Sequence, residues 1–574
     1  MILGVASLLD IAENAAISFG EKLMVGRSRR FVFNRNATAI MLAAVGGFSS
    51  SSVADAQIQQ QIDRCAGKDS ASPDTIISAC TAVIRSETYS GKDVAFAFNN
   101  RGNAHYAAKD YDGAIADYNE AIKLDPNNAL SFRNRGIAYF AKRDYDRAIG
   151  DFTEEIRLAP NRASAYLVRG KSYAAKSGYD RAIGDYSDAI RLDPKSPGSF
   201  YNRGNAYRAK QDYDRSIADF TTSITLNPTD AAVFTDRGKS YLAKRDYDRA
   251  VADYSEAMRL NPKDRDAVNG RGLAYHAKQD YDRAIVDYTE AIMLDPGDAS
   301  AFSNRGNAFY ARKDYDHAIA DFSEGIRLDP SRAAVYVARG NSHFAKRDYD
   351  QAIEDYSKAV TLDPKDQRSF YNRGIAYRMK LESEPGIADF TTAIALDNSD
   401  AAAFTGRGDL YFSKHDYDRA IADYTEAIKL DARDRGAVRG RGLAYYAEQK
   451  YDLAIADYSA AVALGPNTAW ALNNRGNAYY AKSDYDQAIA DYTEAIVAEP
   501  GNALTFNNRA NAYYAKHDYN HAISDYTEAV RLNPDLGSAY TGRGNTYAAE
   551  GQIDRAEADF DEAKRIGKRA SNGR

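Results

Sequence analysis

Apolar and small residues recur along the chain in pairs of helix-like stretches. In the segment 129–162, residues at i, i+4 and i+7 mark one face of a first helix: Phe132, Gly136 and Tyr139. The face of a second helix follows with Ala148, Phe152, Glu155 and Ile156. Between the two, Asp144-Tyr145-Asp146 supplies a cap and a turn, and Pro160 ends the second helix. The pattern predicts a hairpin of two short amphipathic helices, too small to bury its faces alone.

The same unit of 34 residues recurs without insertion or deletion. An Arg-Gly pair marks each copy, from Arg101-Gly102 to Arg543-Gly544, with Ala510 in place of the glycine once. This gives fourteen copies, which we number repeat 1 (95–128) to repeat 14 (from 537), with positions 1–34 in each. A period of this length is typical of solenoids. We therefore expect one all-α array over 95–566.

The unit resembles the tetratricopeptide repeat. That family has a large apolar residue at position 4, small residues at 8, 20 and 27, aromatic residues at 11 and 24, and proline at 32. Repeat 2 matches with Phe132, Gly136, Ala148, Tyr139, Phe152 and Pro160, and departs only at Glu155. The resemblance implies a right-handed α-solenoid superhelix of fourteen helix-turn-helix repeats, whose concave inner face binds a ligand.

Residues 1–56 do not belong to the array. Arginines precede the apolar run 37–48, which is followed by serines and by Ala54-Asp55-Ala56. This order predicts a secretory signal cleaved before Gln57, and hence a periplasmic or secreted protein. The apolar run is too short to cross a membrane, so no stable membrane span is expected. A twin-arginine signal at Arg29-Arg30 and a start at Met24 stay open as alternatives.

The two cysteines, Cys65 and Cys80, lie between this signal and repeat 1. In an exported chain, two cysteines close in sequence favour a disulfide over a metal site, which would need four ligands. We interpret 57–94 as a degenerate hairpin that caps the solenoid and is pinned by this bond. At the other end, Glu557 and Lys564 replace apolar residues, as a terminal repeat requires, and 567–574 is predicted to be a disordered tail.

Charge and motif content exclude several classes of function. The net charge is −6 with both signs intermixed, which gives no electrostatic footprint for nucleic acid. No nucleotide-binding loop, Ser/His/Asp set or cysteine nucleophile is present. His517 and His521 have a spacing that can chelate a metal, but they straddle a turn and have no third ligand. We expect no cofactor, no metal and no enzymatic activity, although an enzyme of unknown type stays open as a distant alternative.

Position 7 is arginine and position 23 is aspartate in every repeat. In an antiparallel hairpin, the position numbers of two residues that face each other add up to a nearly constant sum. Positions 7 and 23 fit the sum that the facing positions of the apolar core give. The spacing therefore predicts a structural ion pair within each hairpin rather than a row of activated carboxylates. Examples are Arg135 with Asp151, Arg237 with Asp253, and Arg475 with Asp491.

In the family that the unit resembles, positions 2, 5, 9 and 12 of the first helices line the concave face. Here position 9 is often asparagine and position 12 is mostly aromatic. Trp470, the only tryptophan, stands where packing does not require it. Partial packing of the position-12 rings stays open as an alternative. The candidate ligand-binding residues are Trp470, Asn473, Asn477, Tyr480, Asn507, Asn511, Tyr514, Asn307, Tyr310, Asn103 and Tyr106.

These observations predict a non-enzymatic exported scaffold that binds protein or peptide partners through its concave face. Tyrosine and asparagine also suit stacking on sugars and hydrogen bonding to them. A polysaccharide-binding protein, or an accessory of cell-envelope glycan assembly, is therefore the alternative.

Overall fold

The computed structural model describes residues 50–68, 71–86, 89–465 and 468–572. The regular secondary structure of these residues consists of thirty α-helices and one 3-10 helix. The chain divides into two compact units, 1–280 and 281–574, and each is described by itself. Most of the predicted signal, 1–49, lies outside the described residues.

In the first unit, helices follow one another as antiparallel hairpins. Repeats 1 to 5 and the first helix of repeat 6 belong to it. Its elements are α1 (Ser50–Cys65), α2 (Pro73–Arg85), the 3-10 helix Gly91–Val94, α3 (Ala95–Ala107), α4 (Tyr111–Leu124), α5 (Ala129–Ala141), α6 (Tyr145–Leu158), α7 (Ala163–Ala175), α8 (Tyr179–Leu192), α9 (Pro197–Ala209), α10 (Tyr213–Leu226), α11 (Ala231–Ala243), α12 (Tyr247–Leu260) and α13 (Arg265–Ala277).

The second unit has the same organisation, from the second helix of repeat 6 to repeat 14. Its helices are α14 (Tyr281–Leu294), α15 (Ala299–Ala311), α16 (Tyr315–Leu328), α17 (Ala333–Ala345), α18 (Tyr349–Leu362), α19 (Gln367–Met379), α20 (Ser383–Leu396), α21 (Ala401–Ser413), α22 (Tyr417–Leu430), α23 (Arg435–Ala447), α24 (Tyr451–Ala463), α25 (Ala469–Ala481), α26 (Tyr485–Ala498), α27 (Ala503–Ala515), α28 (Tyr519–Leu532), α29 (Gly537–Ala549) and α30 (Ile553–Asn572). The prediction of consecutive helix-turn-helix repeats is confirmed.

Each turn within a hairpin is tight and has the same form. In repeat 2, the N–H of Asp144 donates to the carbonyl of Tyr139 at 2.9 Å, and the Asp144 carboxylate accepts the N–H of Arg147 at 3.2 Å. This carboxylate is the N-cap of the second helix. The residue at position 15, just before it, is left-handed: in repeats 1 to 13 it is never glycine, and φ lies between 58° and 64°. Such a conformation costs an L-residue about 1–2 kcal/mol.

The core of a repeat is built from small residues around one large ring. In repeats 1 to 13 the aromatic residue at position 24 is almost completely buried, as Phe152 shows with 1% of its surface exposed. A Cβ at Gly136, position 8 of the same repeat, would lie 2.7 Å from this ring. Glycine at position 8 lets the two helices approach closely, despite its cost of about 1 kcal/mol in helix propensity; in repeat 13 alanine takes this place as Ala510, and the ring of Tyr526 is still buried.

The arginine at position 7 connects three elements. Arg475 donates from Nε and Nη2 to the two oxygens of Asp491, at 2.8 and 2.6 Å, and from Nη1 to the hydroxyl of Ser459 in the preceding repeat, at 3.0 Å. Asp491 is buried, with 5% of its surface exposed. The same bidentate pair joins Arg135 to Asp151 and Arg237 to Asp253. Each arginine therefore closes its own hairpin and also holds the hairpin before it.

The hairpin of α1 and α2 is attached to repeat 1 in the same way. Cys65 and Cys80 form the predicted disulfide, and both are buried. Arg101 donates to the hydroxyl of Thr81 on α2 at 3.0 Å, so Thr81 takes the place that Ser459 has before repeat 12. Helix α1 begins at Ser50, ahead of the predicted boundary at Gln57.

The last helix differs from its predicted end. It continues to Asn572, so residues 567–572 of the predicted disordered tail are helical. Lysine, arginine and alanine in this stretch have high helix propensity, which explains the extension. Glu557 and Lys564 are exposed on it. Over the described ranges, no helix combines the length and the hydropathy that a membrane crossing needs.

Candidate functional site

The candidate residues lie on one face of the first helices, at positions 2, 5, 9 and 12, which we call the first-helix face. Helix α25 carries Trp470, Asn473, Asn477 and Tyr480, and α27 carries Asn507, Asn511 and Tyr514. Asn307 and Tyr310 lie on α15 of the same unit. Asn103 and Tyr106 lie on α3 of the first unit, and are considered separately.

Three of the candidate asparagines at position 9 have partners inside their own repeats. The hydroxyl of buried Tyr492, at position 24, donates to Oδ1 of Asn477 at 2.8 Å, and Tyr526 donates to Asn511 at 2.6 Å. In the first unit, Tyr118 donates to Asn103 at 2.8 Å. These bonds give the asparagines an internal role beside the predicted ligand-facing one, because they satisfy hydroxyl groups that burial removes from water.

The pairing depends on the residue at position 24. Phe322 stands there in the repeat of Asn307, so this asparagine has no such hydroxyl to accept from, and it is exposed. In repeat 11, position 9 is Leu443 opposite Tyr458. The hydroxyl of Tyr458 is buried without a hydrogen-bond partner. Repeats with asparagine at 9 and tyrosine at 24 thus differ from repeat 11 by one hydrogen bond.

Amides also connect neighbouring first helices. Nδ2 of Asn508, at position 6 of repeat 13, donates to Oδ1 of Asn473 at 3.1 Å and to Oδ1 of Asn477 at 3.2 Å. Asn507 is buried, and its Oδ1 accepts no hydrogen bond. Most of the amide oxygens predicted to face a ligand are therefore used within the solenoid.

Trp470 also has a packing role that its position did not predict. Its indole lies edge-on to the ring of Tyr458, with centroids 6.2 Å apart, and the guanidinium of Arg439 lies 5.4 Å from its ring. The side chain thus bridges repeats 11 and 12. The interpretation that packing does not require Trp470 is wrong, because its indole contacts Tyr458 and Arg439 of repeat 11.

The rings at position 12 contact the second helix of their own hairpin. Tyr480 pairs with Tyr485, and Tyr514 with Tyr519, at centroid distances of 5.4 and 5.8 Å. The partner stands at position 17 and is the tyrosine of the Asp-Tyr-Asp turn. The sequence pattern marks this turn only as a helix cap. The same pairing occurs at Tyr446–Tyr451, Tyr310–Tyr315 and Phe412–Tyr417, and in the first unit at Tyr106–Tyr111 and Phe140–Tyr145.

These ring pairs remain accessible. Tyr446, Tyr480 and Tyr514 expose 36–37% of their surface, in three consecutive repeats. Partial burial raises the pKa of the Tyr480 hydroxyl, and the neighbouring Tyr485 raises it further. Burial raises the pKa of Tyr446 as well. The hydroxyls of Tyr446 and Tyr480 therefore stay protonated at neutral pH and can donate hydrogen bonds.

In repeats 4 and 9, arginine replaces the ring at position 12. Arg208 lies 3.4 Å from Asp236 of the next repeat, and Asp236 also accepts from Tyr201 at 2.8 Å. In the second unit, Arg378 pairs with Asp409, whose pKa is raised by burial. Position 12 therefore carries a charged side chain rather than a ring in these two repeats.

Titratable groups elsewhere offer little for catalysis. Glu155 is fully buried and receives a hydrogen bond from Arg162 at 3.3 Å, and burial raises its pKa. No substrate reaches a carboxylate so enclosed. His521 contacts Asp518 at 2.8 Å and stacks on Tyr513, while His517 contacts Tyr519. Within the described ranges, no three metal-ligating side chains cluster.

Three comparisons place this geometry among known proteins. One sequence model described as TPR repeat matches residues 102–143, 170–207, 340–380 and 442–483. Two others, both described as Tetratricopeptide repeat, match 235–299, and 198–230, 299–332, 401–434, 469–502 and 503–536. These ranges together take up more than half of the chain. No curated protein matches it.

The solved structures that match this chain do so at low identity and low TM-score. The Cut9–Hcn1 hetero-tetramer of the APC/C covers 82% of this chain and 98% of its own, at 15% identity and a TM-score of 0.35. YrrB, a TPR protein with an unusual peptide-binding site, covers 33% and 97%, at 22% identity and a TM-score of 0.30. A TPR-containing protein from Cytophaga hutchinsonii covers 42% and 98%, at 21% identity and a TM-score of 0.37.

The sequence matches coincide with the hairpins of both units and with their Arg-Gly period. On that agreement, the chain belongs to the tetratricopeptide-repeat family.

Proposed function

We propose that this protein is a non-enzymatic scaffold that binds segments of other proteins through its first-helix face. The observation that carries the proposal is the series of half-exposed ring pairs in repeats 11, 12 and 13. A soluble repeat has no packing need to leave three large rings about a third exposed on one face. Exposed aromatic groups in register are typical of interaction surfaces.

Because the asparagines are engaged in internal hydrogen bonds, the proposed binding surface consists of the aromatic rings at positions 12 and 17. Asn477 and Asn511 accept from Tyr492 and Tyr526, so they serve mainly to hold the first helices in place. A bound segment would contact Tyr446, Tyr480 and Tyr514 together with their partners at position 17.

The test is selection of peptides from a random display library on the purified protein. We expect enriched peptides whose binding is lost in the double variant Tyr480→Ala, Tyr514→Ala, while its thermal unfolding changes little. Tyr247→Ala is the matched control, since Tyr247 stands at position 17 of repeat 5, where position 12 is Leu242 and no ring pair forms. Enriched peptides that bind the double variant equally well would refute the proposed surface.

We further propose that the scaffold is exported. The buried Cys65–Cys80 disulfide supports this, because such bonds persist in oxidising compartments. Amino-terminal sequencing of the protein from cell-envelope and culture fractions is the test. A mature chain that begins at Gln57 is expected, and a reduced, uncleaved chain in the cytosol would contradict the proposal.

A further inference from the structure

The ring pairs of repeats 10 to 13 form a regular series. They are Phe412–Tyr417, Tyr446–Tyr451, Tyr480–Tyr485 and Tyr514–Tyr519, with centroids 5.4–5.8 Å apart and ring planes inclined by 46–62°. Two inclined rings enclose a wedge, which we call a tyrosine notch. One notch stands at the same place in each of these four repeats.

The spacing between successive notches follows from the contact between first helices. Asn508 on α27 bonds directly to Asn473 and Asn477 on α25, so these two helices are in contact. Helices in contact have axes about 8–10 Å apart. A polyproline II chain rises about 3.1 Å per residue and has three residues per turn, so it repeats every ~9 Å. The spacing of the first helices that carry the notches of repeats 12 and 13 therefore matches one turn of such a chain.

The chemistry of the notches favours the same ligand. Their walls are aromatic faces, against which proline rings pack, and the protonated hydroxyls of Tyr446 and Tyr480 can donate to carbonyl groups. A polyproline II chain makes no internal hydrogen bonds, so its carbonyls are free to accept. A sugar chain would call for free amide or carboxylate groups, and the oxygens of Asn477 and Asn511 are already engaged.

Most charges beside the notches of repeats 11 to 13 are neutralised in pairs. Lys482, at position 14, contacts Asp452 at position 18 of the preceding repeat, and Lys516 contacts Asp486 in the same way. In repeat 11, Glu448 is bonded to Lys450 at 2.7 Å. The surface thus offers rings and hydroxyls with little net charge, and a ligand without charge of its own suits it.

We propose that repeats 10 to 13 bind a proline-rich segment of a partner protein in the polyproline II conformation, with every third residue entering a successive tyrosine notch. The proposal rests on the proposed function and specifies its ligand. Aromatic-lined grooves bind such chains because the extended conformation is already formed before binding, which lowers the entropic cost.

The probes are two labelled peptides of one composition. In the first, Pro-Ala-Ala is repeated four times, so that prolines recur at every third residue. In the second, Pro-Pro-Ala-Ala-Ala-Ala is repeated twice, which removes the period. Binding to the full chain is measured by fluorescence anisotropy, at low and at high salt. We expect the first peptide to bind about tenfold more tightly, with little dependence on salt.

Variants of the protein test whether the difference in affinity between the two peptides depends on the tyrosine notches. Replacing Tyr446, Tyr480 and Tyr514 by alanine should abolish the preference, whereas Tyr247→Ala should leave it unchanged. Replacing the same three residues by phenylalanine keeps the rings, removes three donors and should weaken binding only severalfold. This phenylalanine variant keeps the proposal testable if the alanine variant is poorly folded.

Several outcomes would overturn the proposal. Equal affinity for the two peptides would contradict the three-residue register. Binding of chitohexaose that is lost in the alanine variant, with no binding of either peptide, would assign the surface to glycans. If the display library yields peptides without periodic proline and neither probe binds, the ligand class is wrong but the proposed function stands. If no peptide is selected at all, both fail.

Discussion

The bond between position 9 and position 24 allows a matched experiment in two neighbouring repeats. Tyr458 and Tyr492 are both buried, at 0% and 1% exposure, in the same place of repeats 11 and 12. Tyr492 donates to Asn477 at 2.8 Å, whereas the hydroxyl of Tyr458 has no partner. We predict that replacement by phenylalanine has opposite effects at the two positions.

The magnitudes follow from what each hydroxyl loses or gains. Tyr492→Phe removes a hydrogen bond and should cost about 0.5–1.5 kcal/mol. Tyr458→Phe removes a buried group that lost its hydration without compensation, and should gain about 1–3 kcal/mol. In the background of Leu443→Asn, which supplies the missing acceptor, Tyr458→Phe should no longer be stabilising.

Native-state hydrogen exchange is the suitable assay, since a long repeat array does not unfold in one step. Amides of α24 should become better protected in Tyr458→Phe, and amides of α26 less protected in Tyr492→Phe. Loss of protection in both variants to a similar extent would refute the reasoning, because it would mean that the Tyr458 hydroxyl has a partner.

Three further predictions follow from the turns, the ion pairs and the caps. Leu381 is 86% exposed in a left-handed conformation with φ of 62°. Leu381→Gly should therefore stabilise repeat 9 by about 0.5–1 kcal/mol, whereas Leu381→Ala should not, and hydrogen exchange of α19 and α20 in both variants checks this. Arg475→Ala leaves the buried Asp491 unpaired and should lower the free energy of unfolding by about 3–5 kcal/mol, and adding Asp491→Ala should recover part of this loss. If the losses of the two single variants add up in denaturant unfolding of the double variant, the pairing is contradicted. The hydrogen bond from Arg249 holds the pKa of Asp246 below its ordinary value of 3.8, so the stability that this bond contributes is complete above that pH and is lost as the pH falls below it. The unfolding of Asp246→Asn, which keeps the cap, should depend less on acid, and an unchanged acid profile would refute this.

The sequence specified the hairpins and the pairs within them because both depend on spacing alone. Arg475 and Asp491 could be matched from their positions in an antiparallel hairpin, and Cys65 and Cys80 from their neighbourhood. The role of Asn477 could not be found this way. Periodicity shows which face of a helix a residue occupies, but it does not show which group on another helix completes its hydrogen bond.

The tyrosine notches illustrate the same limit. The sequence pattern predicts that Tyr480 faces a ligand, whereas it marks Tyr485 only as part of a turn. Their contact depends on how the second helix leaves the left-handed residue Ser483, with φ of 63°, and nothing in the period of apolar residues encodes that angle. A signal was present nonetheless, since aromatic residues at 12 recur with tyrosine at 17 in most repeats.

The hydrogen bond from position 7 to position 25 of the preceding repeat makes the joints between repeats interchangeable. Arg101 finds this partner in Thr81, outside the array, and Arg475 finds it in Ser459. A gene segment that encodes whole repeats can therefore be duplicated without new adjustments at either junction. A longer period is superimposed on the 34-residue one: Tyr201 and Arg208 of repeat 4 recur as Tyr371 and Arg378 of repeat 9, five repeats later. The first-helix face can therefore lengthen by whole repeats, each of which already carries the groups that attach it to its neighbour.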